Sequence, residues 1–201
     1  MEIIFATNNS HKLKEAQEII GECFTLIMPK DLGCNEDILE TGVTLEDNSM
    51  QKCKYIKELF GKNCFADDTG LEVDSLDGAP GVYSARYAGE GKKFSDNIYK
   101  LLRELDKKEK EAGHSISRKA HFKTVVTLWY NGEYYIFEGK INGEISREIV
   151  GEGGFGYDSV FIPEGFSKTF AQMSDKEKNS ISHRGIAIKK LSDFLCSLNA
   201  K

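Results

Sequence analysis

Three stretches bring together residue types that can do chemistry on a charged ligand. The first is Thr7-Asn8-Asn9-Ser10-His11-Lys12. It joins an apolar, β-branched run to a segment with helical spacing. A helix start offers free backbone N–H groups and a positive dipole end, so small polar residues and a lysine there suit a phosphate. A plain helix cap with a solvated lysine would leave the same residues in place. The second is Phe65-Ala66-Asp67-Asp68-Thr69-Gly70, two adjacent carboxylates after an apolar strand, with Gly70 free to turn sharply. Neighbouring strand residues point to opposite faces, so the two acids are expected to do different work. A carboxylate there can hold Mg²⁺ with substrate phosphates or take a proton from water. Glu40, in the acidic stretch 35–40, can supply another oxygen. A polar turn is the alternative. The third is Gly153-Gly154-Phe155-Gly156-Tyr157-Asp158, followed by Lys178 and by Ser182-His183-Arg184-Gly185. Glycines let backbone approach a ligand, an aromatic can stack on a base, and Lys, His and Arg donate hydrogen bonds. A β-turn plus a basic helix face is the plain alternative.

These groups need elements to hold them. Residues 2–7 predict a buried strand, and Asn9 or Ser10 can cap a helix carrying Leu13, Ala16, Ile19 and Ile20, with Gly21 as its end. Thr44 and Asp47 resemble a capping box for a helix burying Leu45, Cys53, Ile56 and Phe60, stopped by Gly61. Residues 63–66 and 71–75 predict two short strands. Ser95 is the expected cap of a helix with Ile98, Leu101, Leu102 and Leu105, and the charged residues 106–119 predict an exposed loop. Asn131-Gly132 between two β-rich runs predicts a hairpin, and a second Asn-Gly at 142–143 extends the meander. Residues 158–162 predict a further strand. Ser174 with Glu177 opens a short helix, and Ser182 caps a last one burying Ile188, Leu191, Phe194 and Leu198. A βαβ start followed by antiparallel strands and a helix implies an α/β fold with a mixed sheet. The chain reads as a single domain over 1–201.

Composition narrows the function. The formal net charge of −5 argues against a DNA or RNA binder, which would carry a basic stripe. The five cysteines include no CxxC pair, which disfavours a zinc site or a disulfide scaffold and predicts reduced thiols in a cytoplasmic protein. No membrane span or signal peptide is expected. Gly151-Glu152-Gly153-Gly154-Phe155-Gly156 matches G-x-G-x-x-G, but a strand rather than a helix is expected after it, so a dinucleotide fold is rejected. A Walker A loop is absent.

Together the three stretches resemble the inosine triphosphate pyrophosphatase family, the XTP/dITP pyrophosphatases, and its bacterial branch in particular. The matching segments are 5–13, Glu40-Thr41-Gly42, 66–89, 153–159 and 178–185, in order and across nearly the whole chain. The resemblance implies a mixed sheet flanked by helices, in two lobes with a cleft between them, and a homodimer. It implies hydrolysis of ITP, dITP and XTP to monophosphate and diphosphate with Mg²⁺ as cofactor, and no nucleic acid or membrane partner. By resemblance Asp68 is the catalytic base and a Mg²⁺ ligand, and Glu40 is a second ligand or a water-mediated contact. Thr7, Asn8, Asn9, Ser10, His11 and Lys12 bind the triphosphate, and Thr69 assists. Phe155 stacks on the base beside Gly156, Tyr157 and Asp158, while Lys178, His183 and Arg184 reach its polar groups. Asn8 stands where the family often has Gly, Thr69 where it often has Ser, and Ser159 where it usually has Pro. Rival readings are a pyrophosphatase for other modified nucleotides and a nucleotide sensor without turnover.

Overall fold

The computed structural model describes residues 2–36, 38–89, 91 and 93–199; the side chains of Cys23 and Asn199 lie outside that description, as does Asp37 of the acidic stretch. The strands are β1 (Glu2–Phe5), β2 (Thr25–Ile27), β3 (Cys64–Val73), β4 (Pro80–Gly81), β5 (Lys119–Tyr130), β6 (Glu133–Ile145) and β7 (Phe161–Pro163). The helices are α1 (Ser10–Ile20), α2 (Leu45–Phe60), α3 (Phe94–Ala112), α4 (Asp175–Ile181) and α5 (His183–Asn199). One mixed sheet runs β2-β1-β3-β5-β6-β7, with β4 on β3. β1 pairs in parallel with β2 and β3, and β7 pairs antiparallel with β6. The chain divides into two compact units. One comprises Met1–Thr69, Thr124–Gly139 and Ser182–Lys201; the other comprises Gly70–Lys123 and Lys140–Ile181.

In the first unit both faces of the sheet are covered, and strand alternation sorts the side chains. Ile3, Phe5 and Phe65 pack with Ala16 and Ile20 of α1 and with Ile188, Leu191 and Leu195 of α5. Ile4, Ala6, Cys64 and Ala66 face the other way, onto Cys53 and Ile56 of α2. In the second unit, Leu71, Val73, Phe122, Ile145 and Phe161 form a core with Ile98, Leu101 and Leu105 of α3. Each core is apolar surface taken from water, about 25 cal/mol per Å².

Several local expectations hold. Asn9 caps α1, accepting from the His11 and Lys12 amides, and Gly21 ends it at φ 70°. Thr44 caps α2, and Ser174 with Glu177 forms a reciprocal box before α4. Ser182 accepts from the Gly185 amide at the start of α5. Asn131 and Gly132, at φ 48° and 98°, make the β5–β6 hairpin.

Others are corrected. Residues 64–73 form one strand, so Asp67, Asp68 and Gly70 lie inside β3 rather than at a strand end or sharp turn. Residues 106–112 continue α3 instead of forming a loop, because Lys and Glu are good helix formers and Glu109 meets Arg147 at 2.8 Å and Arg118 at 3.8 Å. That helix starts at Phe94 after Lys93, without a side-chain cap from Ser95. Asn142-Gly143 lies inside β6, where a Cβ on Gly143 would stand 2.3 Å from the Ile162 carbonyl of β7. The strand expected over 158–162 begins at Phe161, since residues 155–160 turn. β2, for which the sequence gives no strand expectation, is three residues long and, among the described residues, pairs with β1 alone.

Candidate active site

Alternation along β3 separates the two carboxylates. Asp67 shares the face of Phe65, toward α1 and α5, and is fully buried. Lys12 Nζ from α1 donates to its Oδ1 at 2.8 Å, and Arg184 Nε from α5 donates to its Oδ2 at 3.1 Å. Arg184 also donates to Glu15 at 2.6 Å and to Thr69 Oγ1 at 3.2 Å. Burial pushes the Asp67 carboxyl upward, but the Lys12, Arg184 and Lys52 charges outweigh it, and the net position is well below the usual carboxylate range. The ionised form of Asp67 is thus favoured, and it anchors two cations.

Asp68 shares the face of Ala66, toward α2. Its Oδ2 accepts from Asn48 Nδ2 at 3.0 Å, its Oδ1 from the Thr69 amide at 2.9 Å, and Lys52 Nζ stands 3.7 Å from Oδ1. Lys52 also pairs with Glu40. Burial, aided by the Glu40 charge, lifts the Asp68 carboxyl above its ordinary range against the pull of Lys52. A carboxylate moved toward neutrality is a better proton acceptor at working pH than one held far below it. Burial acts to lower the Lys52 ammonium, but the Asp68 and Glu40 charges outweigh it and keep it protonated.

Glu40 and Asp68 thus bring hard oxygen donors to one cation. Among the described residues there is no group of three or more His, Cys, Asp or Glu placed to hold a metal. Two carboxylates could hold a hard cation that completes its shell with water and substrate phosphate.

The turn before α1 is built by its own side chains: the Asn9 amide donates to Thr7 Oγ1 at 3.1 Å, and Asn8 Nδ2 donates to the Glu36 carbonyl at 3.4 Å. Ser10 and His11 open the helix, with Lys12 one position on. His183 is buried at the first turn of α5. Thr69 Oγ1 meets Thr124 Oγ1 at 2.7 Å. In the second unit a separate cluster forms. Asp158 Oδ2 accepts from the Phe155 amide at 2.8 Å and from Lys178 Nζ at 2.6 Å. Lys178 Nζ lies 4.8 Å from the centre of the half-buried Phe155 ring, a cation–π contact. Gly154 is required here: its φ is +70°, and a Cβ would stand 2.1 Å from Asp158 Oδ2. Gly156 also has positive φ, and the buried Tyr157 hydroxyl donates to the Ser84 carbonyl at 2.9 Å.

The structure therefore places the first-loop residues, Glu40, Asp67, Asp68, Thr69, His183 and Arg184 in one unit, and Phe155 to Asp158 with Lys178 in the other. The sequence reading missed Lys52 and Glu15. A signal for Lys52 exists: Leu45, Asn48, Ser49, Lys52 and Ile56 share the buried face of α2, so a lysine sits where helical periodicity asks for an apolar residue.

The pattern that defines the Ham1 family matches residues 3–194. The chain belongs to the Ham1 family. It is 48% identical to a dITP/XTP pyrophosphatase of Flavobacterium johnsoniae over 97% of this chain and 98% of that protein. It is 49% identical to one of Porphyromonas gingivalis over 96% of each. Among solved structures, the Staphylococcus aureus Ham1 protein superposes with a TM-score of 0.85 at 39% identity, covering 98% of this chain and all of that one. A HAM1 protein from Coxiella burnetii gives 0.86 at 37% identity, covering 98% and 99%. The mixed sheet with flanking helices is thus the Ham1 fold. Among the described residues no helix is long and apolar enough to cross a membrane.

Proposed function

We propose that this chain hydrolyses the non-canonical purine nucleoside triphosphates dITP, ITP and XTP to the monophosphate and diphosphate, clearing them from the nucleotide pool. The observation that carries the reading is the division of labour on β3: Asp67 fixes Lys12 and Arg184 on one face, while Asp68 shares Lys52 with Glu40 on the other. Anhydride hydrolysis needs charge neutralisation and in-line positioning more than covalent chemistry, and cations held beside the two acids support the first of these. The names carried by relatives at 48–49% identity support the substrate class.

In this reading the start of α1, from Thr7 to Lys12, takes the polyphosphate, with Lys12 and Lys52 offsetting its charge. Asp68 takes the proton of the attacking water. Glu40 and Asp68 would hold Mg²⁺, which would supply charge neutralisation at the phosphates and Lewis-acid activation of the nucleophile. Phe155 stacks on the base, and Lys178, His183 and Arg184 donate to its acceptors. A keto oxygen at position 6 accepts those bonds, whereas the amino group of adenine would face donors with a donor. A buried mismatch of that kind costs orders of magnitude in rate. The same reading carries a cytoplasmic homodimer that takes nucleotides and not nucleic acid; light scattering at twice the 22.5 kDa chain mass checks the dimer.

Product identity tests the reaction. With dITP and Mg²⁺, phosphorus NMR is expected to show dIMP and diphosphate in equal amounts; dIDP with orthophosphate would replace this reading with a phosphatase. Phe155→Ala is expected to raise KM for dITP with a smaller change in kcat. Base–aromatic stacking contributes about 1–3 kcal/mol, or roughly 5–150-fold. Steady-state kinetics of the variant check it, and an unchanged KM removes Phe155 from the base contact.

A further inference from the structure

Asn48 of α2 is fully buried, and both ends of its amide are committed. Its Nδ2 donates to Asp68 Oδ2 at 3.0 Å, and its Oδ1 accepts from the Gly42 amide at 2.8 Å. The orientation of the side chain is forced by chemistry: a backbone N–H can only donate, and a carboxylate oxygen accepts. Gly42 is two residues beyond Glu40. A Cβ there would stand 2.7 Å from Asn48 Oδ1 and 2.6 Å from Asp47 Cβ, so the loop approaches this closely only through glycine. Gln51, three residues on, accepts from the Thr41 amide at 3.1 Å. Lys52, four residues on, pairs with both Glu40 and Asp68. One face of α2 thus grips the Glu40 loop and the Asp68 carboxylate together. With the Thr69 amide on Oδ1 and Asn48 on Oδ2, the carboxylate has both oxygens tied.

We propose that Asn48 is a positioning residue for the hydrolysis, registering the Glu40 loop against Asp68 so that the two carboxylates work as a pair. This rests on the pyrophosphatase reading above. Nothing in the reaction requires Asn48 to touch substrate; it acts through the groups it holds. Partners that orient ligating or reacting side chains are typically worth about 10–100-fold when removed.

Two variants separate the two bonds. Asn48→Ala loses both. Asn48→Asp is nearly isosteric and keeps an oxygen for the Gly42 amide, but sets a carboxylate against Asp68. Amide hydrogen exchange at Gly42, thermal midpoints, and kcat and KM for dITP with Mg²⁺ are measured on the wild type and both variants. The expected result is a kcat drop of at least tenfold in each folded variant with KM little changed. Gly42 protection is expected to be lost in Asn48→Ala and kept in Asn48→Asp. If Asn48→Ala fails to fold, Asn48→Asp decides. A kcat drop smaller than tenfold in a folded variant overturns the proposal, and so does unchanged Gly42 protection in Asn48→Ala. Should the wild type not hydrolyse dITP, the pyrophosphatase reading fails on its own, while Gly42 exchange still decides whether Asn48 holds the loop.

Discussion

Asp68→Asn is expected to lower kcat for dITP by about 10²–10⁴-fold, the usual contribution of a positioned general base, while leaving the protein folded. The stability expectation follows from the direction of its titration. Burial raises the folded-state pKa of Asp68, so the group favours the folded state below its unfolded value and loses that contribution as pH rises through the folded one. At neutral pH the ionised carboxylate is a burden, and an amide relieves it. The amide keeps one oxygen acceptor, and the misfit with either the Asn48 or the Thr69 donor costs about 1 kcal/mol. Lys52 retains Glu40. Urea unfolding at neutral pH is therefore expected to give a midpoint at or near that of the wild type. Wild-type turnover in this variant would remove Asp68 from the chemistry, and a collapsed fold would make it structural.

Asp67→Asn is expected to do the opposite: it destabilises first and impairs activity as a consequence. Removing one partner from a buried ion pair costs about 3–5 kcal/mol, and the lower end is expected because Arg184 keeps Glu15. The net pKa of Asp67 is depressed despite burial, by Lys12, Arg184 and Lys52. Its stabilisation is complete above the unfolded carboxylate value and fades as pH falls below about 4 toward the much lower folded value. Unfolding free energies of wild type and variant should differ fully at pH 7 and converge in acid. A constant gap across that range, or none at pH 7, would deny Asp67 its anchoring role.

The opposite expectations for adjacent residues come from alternation along a strand, which is legible in the sequence alone. The β-branched run at 2–7, the Asn9 cap, the Asn131-Gly132 hairpin and the two Ser caps at 174 and 182 are local rules acting within a few residues. The sequence misled where a residue type has two uses. Asp67, Asp68 and Gly70 resemble a polar turn, yet they lie inside β3 because cations from α1, α2 and α5 compensate the buried acids. Asn142-Gly143 has hairpin chemistry, but its glycine serves the close approach of β7. Residues 106–112 lack apolar periodicity, and their helix is held by ion pairs and propensity instead. Lys52 left a trace as a lysine on an apolar helix face, whereas Glu15 and Asn48 gave no sign of a site role, since the Arg184 and Asp68 they meet lie 169 and 20 positions away in the chain.

The most direct test of the central claim is diphosphate release with Mg²⁺ from dITP, ITP, XTP, ATP, GTP and dTTP, compared as kcat/KM under one condition. The account predicts efficient release from dITP, ITP and XTP, and a value lower by orders of magnitude for ATP, whose 6-amino group would face donors. Equal rates on all six would contradict the base reading assigned to Phe155, Lys178, His183 and Arg184. No release from any of them, with dITP still bound, would contradict the enzyme itself and leave a nucleotide sensor.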